Sequence, residues 1–115
     1  MNLYINTAKN SIIIVELREG KKVIISKEIE ASHCQAEKLI PLIEGLLKAK
    51  KKKLTDIKSI IVENKGEGFT SLRIGVTTAN ALAYALDIAL EIPKKGRVAI
   101  ARPEYNKPPS ITLKK

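Results

Sequence analysis

His33 and Cys34 are the only two side chains in this 115-residue chain whose types suggest a nucleophile beside a base. They are neighbours just before a helical pattern, so their side chains diverge. The next carboxylate along the chain that could orient the histidine is Glu37. Nucleophile–base–acid sets are recognised by geometry, which sequence spacing does not supply. We therefore interpret the pair as part of a loop and predict no catalysis from it.

A second chemical candidate is the turn in which Gly66 and Gly68 flank Glu67, ahead of another helical pattern. Backbone N–H groups in such a turn can hold a phosphate, but Glu67 would repel one. The same glycines also suit a tight turn, which is the reading we favour. The hydroxyls of Thr70 and Ser71 are then expected to accept hydrogen bonds from the first N–H groups of the helix.

A run of lysines ends the first helical pattern: Lys48, Lys50, Lys51, Lys52 and Lys53. Lysines at this position complement the negative end of the helix dipole. Clustered lysines also bind RNA phosphates in a salt-dependent way. Both interpretations stay open, and the RNA contact is assigned to Lys50, Lys51, Lys52 and Lys53.

Composition restricts the function classes further. A hydrophobic content of 44% in 115 residues indicates one globular domain. A formal net charge of +9 favours a polyanionic or acidic partner, or simply solubility. Aromatic residues make up only 3%, which argues against a base-stacking platform. The single cysteine suits a reducing cytoplasm, and we expect neither a signal peptide nor a membrane span.

Periodicity predicts the order of the elements. Three strands come first, at residues 3–6, 11–17 and 23–28, followed by a helix at 35–50 and a strand at 57–63. A helix at 70–86 and a short strand at 90–92 follow, then a linker at 93–96 and an extended tail. This is an α/β layout: a three-strand meander, then helix–strand–helix–strand. We divide it into residues 1–92 and a linker with tail at 93–115.

The second helix is unusually poor in charge for a surface helix. It carries only Arg73 near its start, with Asp87 at its end. Gly45 lies inside the first helix, where glycine costs about 1 kcal/mol relative to alanine. Close approach of another helix would offset that cost. The pattern therefore predicts that the helices pack on the sheet on one side and on a partner protein on the other.

Four segments resemble the TsaB (YeaZ) family, which takes part in making threonylcarbamoyladenosine next to the anticodon of tRNA. FTSLRIG (Phe69 to Gly75), followed by a small-residue helix ending in LDI (Leu86 to Ile88), is similar to the family's GPGSFTGLRIG region. EKLIPLIEGLL (Glu37 to Leu47) and LTDIKSIIV (Leu54 to Val62) resemble two further family motifs. The tail from Pro103 to Lys115 resembles the family's ending.

The sequence departs from the family pattern at several places. INTA (Ile5 to Ala8) replaces IDTS, so Asn6 stands where the family has aspartate. Gln35 and Ala36 replace His and Ser of the HSE motif, and Ser71 replaces a glycine. The usual protein is about twice as long, and the resemblance suggests a shortened form that lacks most of the second lobe between Pro93 and Arg102.

The resemblance implies a single ribonuclease-H-like lobe of the actin-like ATPase superfamily. Members of that superfamily use a first-strand carboxylate for metal chemistry, and a neutral Asn6 is a poor sole anchor for Mg²⁺. We therefore expect no enzyme activity, no metal and no cofactor.

By resemblance, the chain is a scaffold subunit whose two helices bind the catalytic TsaD subunit, with TsaE in the wider complex. A homodimer through the same helices is a plausible resting form. The expected interface residues share an outward position on the two helices: Pro41, Leu42, Gly45, Ala49, Arg73, Thr77, Asn80, Ala81 and Tyr84. The alternative function is a small basic RNA-binding module of ribonuclease-H-like fold.

Overall fold

The sheet and helices follow the predicted order, with three further short strands. The computed structural model describes residues 1–9, 11–30, 35–66 and 69–105, without the side chains of residues 35, 36, 69, 70 and 105. Its elements are β1 Asn2–Asn6, β2 Ile12–Glu19, β3 Lys22–Glu30, α1 Gln35–Ala49, a 3-10 turn at Leu54–Asp56, β4 Ser59–Val62, β5 Lys65–Gly66, α2 Phe69–Leu86, β6 Ala89–Ile92, β7 Gly96–Val98 and β8 Glu104–Tyr105.

Six of the strands form one mixed sheet in the order β3-β2-β1-β4-β6-β7. The first three strands are antiparallel neighbours, β4 pairs with β1 in parallel, and β6 pairs with β4 in parallel. The predicted α/β class, with a meander followed by helix–strand–helix–strand, is confirmed.

The core lies on one face of this sheet. Leu3 of β1 is in register with Leu17 of β2 and Ile60 of β4, and all three are fully buried. Side chains alternate between the two faces of a strand, so this face is apolar along the central strands. Helix α1 covers β2 and β3, while α2 covers β1, β4 and β6, and the two helices touch each other. Both helices therefore lie on the same side of the sheet.

Helix α1 ends in a tight reversal among the lysines. Lys51 adopts a left-handed backbone with φ of 55°, and the N–H of Lys52 donates to the carbonyl of Leu47 at 2.8 Å. This is a typical way to satisfy carbonyls at a helix end. The chain then turns towards β4 at the edge of the sheet where the parallel strands begin.

The start of α2 packs closely on the turn after β1. A Cβ added at Gly75 would overlap the Thr7 side chain, and one added at Gly66 would lie 2.5 Å from the carbonyl oxygen of Ala8. Glycine at these two positions permits the close approach. Ser71 lies inside the helix rather than at its cap, because α2 begins two residues earlier. Its buried hydroxyl donates to the carbonyl of Lys9 at 3.5 Å. The turn residues 67 and 68 lie outside the described residues, as do His33 and Cys34.

The segment predicted as a linker is the turn of a hairpin. Residues 93–95 join β6 to β7, which are antiparallel partners. The described part of the tail is also packed. The Asn80 side chain donates to the Ala101 carbonyl at 2.9 Å and accepts from the Ala101 N–H at 2.8 Å. Beyond it, β8 pairs in parallel with β5. The division of the chain at residue 92 stays a prediction.

Glu104 in β8 is held by lysines from two other segments. Lys95 Nζ lies 2.8 Å and Lys65 Nζ 3.8 Å from its carboxylate oxygens. The hydrogen bond from Lys95 lowers the pKa of Glu104 below its ordinary value. These exposed ion pairs add little to stability, but they mark where β8 lies. Within the described ranges, neither helix is long and apolar enough to cross a membrane.

We predict that truncation after Lys95 lowers the melting temperature by several degrees, because it removes β7 and the buried Ala101. A loss of 1 kcal/mol shifts a domain of this size by about 4–8 °C. Asn80→Ala should reproduce part of the loss, since it leaves two backbone groups of Ala101 without their partners. Thr77→Ala, exposed one turn earlier, is the control. Equal melting temperatures for all three variants and the full chain would contradict the packing described.

Candidate partner-binding surface

The predicted residues of α1 lie on its outer side. Pro41, Gly45 and Ala49 are exposed and Leu42 is half-buried. They line a shallow groove of about 220 Å³ together with Ile25 and Lys27 of β3. The α1 residues thus face outward and towards the β3 edge of the sheet.

Gly45 has no close neighbour among the described residues that would require a glycine. A Cβ added there would meet none of their atoms within 4 Å, and the backbone is ordinary helix. This differs from Gly66 and Gly75, where a close approach inside the fold requires glycine. The described part of the fold therefore tolerates a side chain at position 45, and its contacts do not explain the glycine.

The predicted residues of α2 divide into two groups. Arg73, Thr77, Ala81 and Tyr84 are exposed. Tyr84 is 89% exposed, the largest value among the large hydrophobic residues whose side chains the structure describes. Asn80 is half-buried, and its amide is occupied by the backbone of Ala101. The polar group of Asn80 is therefore used to hold the tail.

A larger groove of about 860 Å³ runs between α2 and the β6–β7 hairpin. Tyr84 and Ala81 line it on the helix side, and Val98 and Ile100 on the other. Ile100 is 61% exposed. Sequence reasoning missed Val98 and Ile100 because it read this segment as linker and tail. Their alternation, typical of a strand edge, was the available signal.

The nine predicted interface residues do not form one cluster. The α1 groove opens beside β3 and the α2 groove beside β7, at opposite edges of the sheet, and the two share no lining residue. What they share is the outer surface of the two-helix layer. A partner with a pair of helices could cover Gly45 and Ala81 together, whereas a single segment would fill one groove.

Asn6, at the end of β1, belongs to a hydrogen-bonded network on the opposite face of the sheet. Its Nδ2 donates to the Tyr4 hydroxyl at 3.1 Å, and its Oδ1 accepts from the Ala8 N–H at 2.9 Å. The Tyr4 hydroxyl donates to Glu63 at 2.8 Å, and the Arg18 guanidinium lies 3.9 Å from the centre of the Tyr4 ring. Both ends of the Asn6 amide are therefore engaged.

Burial, and then the hydrogen bond to Glu63, raises the pKa of Tyr4 well above its ordinary value. The neutral phenol is thus the form that the fold requires. Among the described residues no group of three metal-ligating side chains lies together. The geometry around Asn6 organises the end of β1.

The comparisons with known proteins place the chain in a family. The profile of the family described as TsaD: tRNA N6-adenosine threonylcarbamoyltransferase matches residues 24–107, so the chain belongs to this family. No curated protein matches the sequence significantly.

Solved structures share the fold. YeaZ from Pseudomonas aeruginosa superposes with a TM-score of 0.72 at 22% identity, covering 79% of this chain and 42% of that one. A structure described as an uncharacterized protein with similarity to peptidase YeaZ from Pseudomonas aeruginosa gives the same score and identity, with 41% of its chain covered. The predicted likeness to the TsaB (YeaZ) family is confirmed, and the chain spans less than half the length of these structures.

The Tyr4 network predicts an unusual dependence of stability on alkaline pH. Because the folded-state pKa is raised, the stabilisation is complete below about pH 10, the ordinary tyrosine pKa, and is lost as the pH rises above it. Tyr4→Phe should cost about 1–3 kcal/mol at pH 7, since it strips a partner from Glu63 and Asn6. Above pH 10 the difference in the free energy of unfolding between the unaltered protein and Tyr4→Phe should narrow by about 1.4 kcal/mol per pH unit.

Urea unfolding of both proteins between pH 7 and pH 11 measures this gap. Tyr84→Phe, at an exposed position, is the control and should follow the unaltered protein at every pH. A gap between Tyr4→Phe and the unaltered protein that stays constant up to pH 11 would show that the phenol does not titrate as described.

Proposed function

We propose that this chain is a non-catalytic scaffold subunit in the synthesis of threonylcarbamoyladenosine on tRNA. It binds the catalytic TsaD subunit through the outer surface of α1 and α2. The observation that carries the proposal is Gly45, an exposed mid-helix glycine that no contact in the described part of the chain requires. Membership of the family and the YeaZ-like fold support the pathway.

The energetic cost of glycine inside a helix must be offset by a contact. Alanine at an exposed mid-helix position would stabilise α1 by about 1 kcal/mol. At Gly66 and Gly75 the missing Cβ permits a close approach inside the fold, and that contact offsets the low helix or strand propensity of glycine. At Gly45 the described part of the chain supplies no such contact, so the cost must be offset by a contact from outside. The backbone of a helix in a second protein could approach this closely.

Helix α2 supplies the matching surface. Tyr84 exposes a large ring, and Tyr is a frequent anchor residue at protein interfaces. Ala81 and Thr77, both small and exposed, lie beside it along the helix and allow a partner helix to come close. Arg73 adds one positive charge near the start of α2. The partner complex extends to TsaE, and the same surface serves a homodimer when TsaD is absent. The cytoplasmic location is part of this proposal.

We propose that the chain is not catalytic because Asn6 stands where a metal-binding carboxylate would be needed. Its amide is neutral and occupied at both ends, by Tyr4 and by the backbone of Ala8. A metal-dependent ATPase needs a carboxylate at such a place, because Mg²⁺ prefers anionic oxygen ligands. TsaD would then supply the ATP and metal chemistry of the complex.

We expect no ATP hydrolysis by the purified chain, measured as phosphate release with Mg²⁺ present. Steady turnover that is abolished in Asn6→Ala would contradict the proposal. Turnover that persists in Asn6→Ala and stays with the chain through further purification would contradict it equally, whereas turnover that is lost on purification indicates a contaminating ATPase.

We expect Gly45→Glu to abolish association with TsaD from the same organism while the fold is retained. The new side chain enters open space in the free chain, but a bound helix would bury its charge without a partner. Such a burial costs about 3 kcal/mol or more, which weakens binding more than a hundredfold. Isothermal titration calorimetry of the two purified proteins measures it, with circular dichroism to check the fold.

Two further variants sharpen the test. Gly45→Ala should raise the melting temperature of the chain and yet weaken TsaD binding, a combination that a merely structural glycine does not give. Thr55→Glu adds the same charge at an exposed position in the 3-10 turn and should bind TsaD normally. A folded Gly45→Glu variant with unaltered affinity would place the interface elsewhere.

A further inference from the structure

One edge of the sheet gathers lysines from three separate segments of the chain. Parallel strands β1, β4 and β6 begin at this edge, α1 ends there, and the turn from β2 to β3 lies there because β2 is antiparallel to β1. We call it the basic edge. It is formed by eight exposed lysines: Lys21, Lys22, Lys48, Lys50, Lys51, Lys52, Lys53 and Lys58.

The strand registers connect these segments. Lys22 of β3 pairs with Glu19 of β2, Met1 directly precedes the next strand β1, and the N–H of Lys58 donates to the Met1 carbonyl at 2.7 Å. Lys22 and Lys58 are therefore three strand spacings apart, about 14 Å. The lysines that follow α1 lie above this row, so the positive charge spreads in two dimensions.

The charge of the basic edge is not compensated within the described residues. None of its lysines forms an ion pair there: the pairs observed are those of the N-terminus with Glu19, Arg18 with Glu16, and Glu104 with Lys65 and Lys95. Four acidic groups lie nearby: Glu19, Glu44, Asp56 and Asp87. Glu44 lines a groove with Lys48 and Lys52 but forms no ion pair with either. Glu19 is paired with the N-terminus at 3.3 Å, and Asp56 accepts from the backbone N–H of Lys53 at 2.8 Å.

We propose that the basic edge binds the phosphate backbone of RNA. This rests on the proposed function, because the tRNA-modifying complex is what brings RNA to the chain, and it adds Lys21, Lys22 and Lys58 to the lysines singled out from the sequence. The segments 19–22 and 48–58 contain no aromatic residue, so the edge contacts phosphates and does not stack bases.

An anionic membrane is the competing partner for such an edge, and the structure disfavours it. Peripheral membrane binding combines basic charge with apolar side chains that enter the lipid. Of the large apolar residues most exposed in the described part, Val23 lies next to the basic edge and Ile40 lies on α1. Tyr84 and Ile100 lie at the same end of the sheet, but they line the groove between α2 and the β6–β7 hairpin and are separated from Lys58 by β6.

The test uses the full chain and an unmodified tRNA transcript, with affinity measured by fluorescence anisotropy over a range of salt concentrations. The variant combines Lys22→Glu, Lys52→Glu and Lys58→Glu, one change in each segment. Its affinity for tRNA should fall about tenfold or more at about 100 mM salt. The negative slope of log K against log salt should become shallower by about 2 to 3 units.

The matched control combines Lys9→Glu, Lys38→Glu and Lys94→Glu. These lysines are also exposed, and they lie at the opposite edge, where β1 and β6 end and α1 begins. The change in net charge is identical, but affinity and salt slope should change much less. Circular dichroism checks folding, and if either charge reversal prevents folding, both triple variants are made with Gln.

Three results would overturn the proposal: no binding of tRNA by the unaltered chain, an equal loss in both triple variants, or binding to phosphatidylserine vesicles in place of tRNA. TsaD binding by the same variants separates this proposal from the scaffold function. If the basic-edge variant binds TsaD normally and tRNA poorly, both proposals stand. If the unaltered chain binds tRNA through the basic edge but does not bind TsaD, the scaffold function fails while the RNA contact stands.

Discussion

The placement of both helices on one face of the sheet is the constraint from which the other features follow. Strand β4 returns to pair in parallel with β1, and β6 adds next to β4 in the same direction. Each parallel connection needs a crossover, and two crossovers that step the same way along a sheet place their helices on the same side. The core is therefore a single layer between sheet and helices, and the outer surface of the helices is left exposed.

The same constraint brings the functional surfaces together. Because both helices run from the end of one parallel strand to the start of the next, both end at the edge where those strands begin. The lysines after α1 thus meet the β2–β3 turn and Lys58 without any special contact. The outward residues of α1 and α2 form a second surface adjoining this edge. A scaffold that binds a protein through one and RNA through the other would hold the two in a fixed relation.

The glycines serve two different purposes in this fold. Gly75 lets α2 approach the turn after β1, where any side chain would overlap Thr7, and Gly66 does the same against Ala8. These contacts fix the start of α2 next to Asn6 and set the direction of the whole helix. Gly45 has open space around it. The sequence shows only that all three glycines lie in or near helices. The packing shows that Gly66 and Gly75 serve contacts within the fold, whereas Gly45 is free for contact with a partner.

Much of the fold could be predicted from local pattern. The β-branched run of β2, the apolar face of α1 and the small-residue pattern of α2 each indicate their element from the sequence alone. The β6–β7 hairpin could not be predicted, since Pro93 to Gly96 is equally typical of a linker. The packing of the tail depends on Asn80, whose amide binds a backbone 21 residues away. The basic edge depends on strand register, which periodicity does not give.

Amide hydrogen exchange of the chain, alone and with equimolar TsaD, tests the central claim most directly, because it locates the contact without altering a residue. The account predicts slowed exchange in α1 around residues 41–49 and in α2 around residues 77–84, with β2 and β3 unchanged. Slowed exchange confined to the β2–β3 hairpin, or none in either helix while the complex is intact, would contradict it.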